Sequence, residues 1–102
     1  MKDKTEDLKT LWEEAEFHAN IMEQDAKKAN EAYSTFWAMS VYFDSRMQPG
    51  NPTEFDYKRR RAVNEMDLIA RRITAIASVA RINATEAHEA YLRKQDSSNI
   101  DF

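Results

Sequence analysis

Between Leu8 and Met47 an apolar or small residue recurs at alternating intervals of four and three. The set is Leu8, Trp12, Ala15, Ala19, Met22, Ala26, Ala29, Tyr33, Phe36, Ser40, Phe43 and Met47. This spacing keeps one stripe on one helix face, and its 3.5-residue average is that of a coiled-coil seam. It predicts a first helix over about residues 5–47. The middle of the seam is alanine, so a partner backbone can approach closely there. The same rhythm resumes at Phe55, Arg59, Ala62, Met66, Ile69, Ile73, Ile76, Ala80, Asn83, Ala87 and Ala90. Val63, Ala70, Ala77, Ala84 and Tyr91 widen it on one flank, predicting a second helix over about residues 53–94. Residues 95–102 lose the pattern and are expected to fray.

The break between the runs, residues 48–52, holds the only glycine and both prolines of the chain. Pro49 and Gly50 stop one helix; Asn51 suits an N-cap, Pro52 the first helical position, and Glu54 the acid of a capping box. Thr53 with Asp56 offers a competing cap. So short a connection implies antiparallel packing, with residues whose numbers sum to about 100 facing each other. Tyr33, Phe36 and Phe43 should then meet Phe55, Ala62 and Met66 in a bulky end beside the turn. Alanines 15, 19, 26 and 29 should meet the Ile73–Ala87 region in a thin waist. Asn83, polar on the seam, is expected to fix register. The expected fold is one all-α domain over residues 1–102, a long coiled-coil-like antiparallel hairpin.

A hairpin needs one apolar stripe per helix, and this chain has more. Leu68, Ala75, Val79 and Ile82 form a second stripe on helix 2, while Trp37, Met39, Val41 and Tyr42 make residues 36–43 apolar nearly all round. A helix apolar on every side is a buried helix. The favoured resolution is a homodimer in which two hairpins build a four-helix bundle. Helices supplied by another protein are one alternative; a break near Asn30 or Ser34, giving a three-helix bundle, is another.

Composition narrows the reading. The 102 residues include no cysteine, which removes disulfides and thiolate chemistry and fits a reducing compartment. The N-terminus is polar, and the longest uncharged run, Ala32 to Phe43, is 12 residues, against roughly 20 for a bilayer span. The expectation is a cytoplasmic protein with no membrane partner. Net charge is −3, but residues 1–56 carry 6 Lys/Arg against 12 Asp/Glu, and residues 57–102 carry 9 against 6. The two halves therefore attract, which helps choose partner and register more than it adds stability.

Lys58, Arg59, Arg60 and Arg61 follow the break, and Arg71 and Arg72 lie eleven residues beyond Arg60 and Arg61. Eleven residues are nearly three turns, so Arg60, Arg61, Arg71 and Arg72 align in a ridge roughly 16 Å long. Such a ridge suits phosphates or an acidic protein surface, or simply a solvated face paired with Asp67, Glu65 and the acidic first helix. The net acidic domain argues against nucleic acid, although an accessory nucleic-acid binder using the ridge is a further alternative.

Catalytic chemistry is mostly excluded. Neither His18 nor His88 stands in a Glu-x-x-His pair, one glycine cannot build a phosphate loop, and no metal or other cofactor is expected. The stretch from Arg81 to His88 resembles the Arg-x(4–6)-His signature of HEPN ribonucleases, which are small all-α dimers. That resemblance implies Arg81 and His88 acting on a scissile phosphate across a dimer interface; here Ile82 stands where the family often has a polar residue, and Tyr91 falls one place late. Length and central turn are similar to the WXG100 hairpins. The Trp-x-Gly turn is missing, however, and Tyr91 is followed four places on by Gln95 rather than an acid. The reading that remains is a non-enzymatic protein–protein interaction module: an adaptor, inhibitor or accessory factor. Its expected contacts are the arginine ridge and the exposed part of Trp37, Val41, Leu68, Val79 and Ile82.

Overall fold

In the computed structural model, which describes residues 4–46 and 53–100, the chain forms two long helices packed as an extended hairpin: α1, Lys4–Arg46, and α2, Glu54–Ile100. α1 is continuous through Asn30 and Ser34, so the three-helix alternative is not what forms. α2 continues past the expected end near residue 94. Acidic residues occupy both first turns, Glu6 and Asp7 in α1 and Glu54 and Asp56 in α2, where the helix dipole favours negative charge.

Of the two caps the sequence offered for α2, Thr53 with Asp56 is used. Asp56 Oδ2 accepts from the Thr53 backbone N–H and from its hydroxyl, each at 2.8 Å, and the Asp56 N–H donates back to Thr53 Oγ1 at 3.3 Å. This reciprocal pair is a capping box with aspartate in the acidic place. Those two hydrogen bonds from Thr53 hold the Asp56 carboxyl below its ordinary value. Pro49, Gly50, Asn51 and Pro52 lie outside the described residues.

The antiparallel register follows the expected sum. Phe43 meets Phe55 edge-on at 6.4 Å between ring centroids, and Trp12 stacks on His88 at 4.3 Å and on Tyr91 at 5.6 Å. Between these aromatic ends lies the alanine waist, where Ala19 packs with Ala80 and Ala84, bordered by Ala15 and Met22.

The seam of α2 differs from the expected one. Phe55, Ala62, Ile69, Ile76 and Asn83 are exposed, while the row one residue further on is buried: Asp56, Val63, Ala70, Ala77 and Ala84, of which all but Asp56 belong to the flank that widens the sequence pattern. Arg59, Met66, Ile73, Ala80 and Ala87, common to both patterns, remain in the interface. With one row kept and the other replaced by its neighbour, α2 is turned by about 50°. The cause is α1, whose waist is alanine. Against it, Ala70, Ala77, Ala80 and Ala84 of α2 let the backbones close up at the waist, whereas a second row of isoleucines there would wedge the helices apart. Asn83 is therefore not a register pin. Asn30 takes that part, donating to Thr74 Oγ1 at 3.0 Å and to the Ala26 carbonyl at 2.7 Å.

The resulting molecule measures 80 × 21 × 14 Å, with a radius of gyration of 22.6 Å. A compact chain of this length would have about 13 Å. Among the described residues no large side chain is fully buried. Residues 36–43, which the pattern expected to be enclosed, leave Phe36, Trp37, Met39, Val41, Tyr42 and Phe43 all exposed.

Candidate interaction surfaces

Each helix carries one heptad row on either side of the seam, so the hairpin has two long sides of different chemistry. On one side run Glu16, Glu23, Asn30, Trp37 and Asp44 of α1 beside Arg60, Asp67, Thr74, Arg81 and His88 of α2. Arg81 dominates this polar side. Its guanidinium donates to Glu16 Oε1 at 2.7 Å, Asn20 Oδ1 at 2.8 Å, and the Glu23 carboxylate at 2.5 and 3.2 Å. One arginine thereby grips two turns of α1. The hydrogen bond to Arg81 holds Glu23 below its ordinary value, and Glu23 followed by Glu16 pushes Arg81 up. The Asn30–Thr74 bond and an Arg60–Asp44 ion pair at 3.4 Å continue the closure toward the turn.

On the other side run Leu11, His18, Asp25, Ala32 and Met39 of α1 beside Phe55, Ala62, Ile69, Ile76 and Asn83 of α2. Two clefts lie along it. One, of ≈ 270 Å³, is walled by Phe36, Met39, Phe43, Phe55 and Ala62, with Arg59 at its floor. The other lies between His18 and the α2 residues Ala75, Ile76, Val79 and Asn83. No carboxylate or ammonium lines either cleft.

Arg59 is the site residue that sequence reasoning missed. Its side chain is only 10% exposed, and it donates to the Ser40 carbonyl at 2.9 Å, to the Ser40 hydroxyl, and to Asp44 at 2.6 Å. Its guanidinium also sits 5.7 Å from the Phe43 ring centroid. The bond to Asp44 pushes Arg59 up, and Arg59 holds Asp44 down. The signal was present: Ser40 and Arg59 are polar members of the two seams, and their numbers sum to about 100.

The four ridge arginines are all exposed, but they are not alike. Arg60 pairs with Asp44, and Arg71 with Asp67 at 3.1 Å on its own helix, while Arg61 and Arg72 pair with no carboxylate among the described residues. The apolar contact residues are also distributed. Trp37, Val41 and Ile82 flank the polar side, Val79 borders the apolar side, and Leu68 faces outward from α2; all five are exposed. Arg81 and His88 share a row, but Arg81 is engaged by two carboxylates and His88 is stacked on Trp12.

Among the described residues no group of three metal-binding side chains converges, and no helix is long and apolar enough to cross a membrane. Compared with protein-family models, with curated proteins and with solved structures, the chain matches none.

Proposed function

We propose that this chain is a non-enzymatic protein–protein interaction module, an adaptor, inhibitor or accessory factor, that works as a homodimer in which two hairpins form a four-helix bundle. One observation carries the reading: the small residues are inside and the large ones outside. The buried apolar set is Ala19, Ala26, Val63, Ala70, Ala77, Ala80 and Ala84, whereas Phe17, Trp37, Phe55, Leu68, Ile69, Ile76, Val79 and Ile82 are each more than half exposed. Isolated surface leucines are ordinary, but this many large apolar residues left outside, with Phe55, Ile69 and Ile76 in one row, mark an association surface.

Area supports the same conclusion. The hairpin exposes 8158 Å², where a globular chain of its mass exposes roughly 6,000 Å². An alanine seam buries little apolar surface for its length, and a second layer would add the burial of the large residues left outside it. The guanidinia of Arg61 and Arg72 are exposed and suit an acidic protein partner.

Light scattering over a hundredfold range of concentration tests the self-association. A species of about 24 kDa, twice the 11.9 kDa chain, is the expected result. A monodisperse single chain throughout would overturn the dimer.

A further inference from the structure

We infer that the second copy sits on the apolar side of the hairpin, the side of Phe36, Met39, Phe55, Ile69 and Ile76, while the polar side stays open to solvent. This rests on the dimer reading and adds which of the two sides is used.

Two features select it, and its extent is sufficient. The polar side is already closed by side chains reaching across the seam. Docking a copy there would strip water from the Arg81–Glu16–Glu23 cluster and from the Asn30–Thr74 bond without replacing their partners. The apolar side has no comparable bridge except at the turn end, where the Arg59 guanidinium is already held by Ser40 and Asp44.

Charge points the same way. A second copy presents the same face with the same charges, so a two-fold interface avoids like-charge conflict best on the side with fewer of them. The rows and clefts of the apolar side carry Asp25 and Arg59, the latter already held by Ser40 and Asp44, whereas the rows of the polar side carry Glu16, Glu23, Asp44, Arg60, Asp67 and Arg81. Extent fits as well. A side measuring 80 × 21 Å offers roughly 1,700 Å² per chain, about 3,400 Å² for the pair, within the range of permanent homodimers. Rows of isoleucine and phenylalanine turned out of the seam become, on this side, the large residues of a second core layer between hairpins.

Ile76 and Ile82 provide a matched pair for the test. They are the same residue type on the same helix, 53% and 56% exposed, Ile76 in the apolar-side row and Ile82 at the rim of the polar-side cleft. Glutamate at either position should leave the hairpin itself equally well folded, as far-UV circular dichroism checks. In sedimentation equilibrium, Ile76→Glu should weaken association at least a hundredfold and Ile82→Glu less than threefold. Because the chain lacks cysteine, a single thiol can report on the otherwise unaltered assembly. Ile76→Cys should react with a maleimide at least tenfold more slowly than Ile82→Cys. A dimer broken by Ile82→Glu but not by Ile76→Glu, or equal thiol rates in a dimer, overturns the assignment alone. A single-chain mass for the unmodified protein at every concentration overturns the dimer reading and the assignment with it. A mass above two chains places copies on both sides and overturns the assignment.

Discussion

The two long sides of this hairpin are built from the same pair of helices and the same heptad rhythm, yet they handle their exposed edge in opposite ways. On the polar side, Arg81 reaches from α2 to Glu16, Asn20 and Glu23, and Asn30 reaches from α1 to Thr74. The helices there satisfy each other. On the apolar side, Ile69, Ile76, Phe36 and Met39 stand half in water beside a seam too thin to hold them. The difference teaches that the seam and the exposed apolar surface have been separated by residue size. Alanines line the contact between the helices, arginine and asparagine bridge it, and the large apolar residues are left exposed.

The most damaging way to break that division is to put a large residue in the seam. Ala84 is 0% exposed, and Ala84→Leu should force the helices apart on both sides together. Overpacking of this kind costs about 1–3 kcal/mol. For a chain of this size that corresponds to a fall in melting temperature of about 5–20 °C, readable by thermal circular dichroism. An unchanged melting temperature would mean the helices are not in close contact at this level.

Acid should act more gently, on the polar side and the α2 cap only. Glu23 and Asp44 are held below their ordinary values of 4.5 and 3.8 by hydrogen bonds from Arg81 and Arg59, and Asp56 lies below 3.8 through Thr53. A carboxylate with a depressed folded-state pKa stabilises fully above its unfolded value, and that contribution disappears as pH falls through the folded one. Melting temperature should therefore be flat above about pH 5 and decline below about pH 4.5. A decline already complete at pH 6 would require some other group.

The smallest effect sharpens the comparison. Arg81→Met removes the cross-seam grip but keeps an apolar stem. The exposed setting of this cluster predicts a loss of only a few degrees in melting temperature, smaller still in high salt. The acid-induced decline should also become shallower, because Glu23 loses the partner that depresses it. A variant with the unmodified protein's full acid dependence would show that Arg81 does not hold Glu23 in solution.

Sequence alone determined the hairpin. The 4-3 spacing, the single break at Pro49–Pro52 and the sum near 100 gave two helices, their antiparallel sense and the α1 seam from Leu8 to Tyr33 with Ser40, because these depend on backbone geometry and periodicity. Phe36 and Phe43 of that pattern stand exposed. The Thr53–Asp56 cap was legible as one of two candidates. What the tertiary structure alone decided is the rotation of α2. Two patterns on that helix share Arg59, Met66, Ile73, Ala80 and Ala87 and differ in the other row. A count of hydrophobicity favours the row with Ile69 and Ile76 for the inside, since each gains more on leaving water. The fit against α1 reverses that choice, because an alanine waist is filled by alanines and not by isoleucines. The same rotation creates the apolar side and carries Arg81 to its carboxylates. Periodicity names the residues that can lie inward; only the shape of the opposing helix selects which of them do.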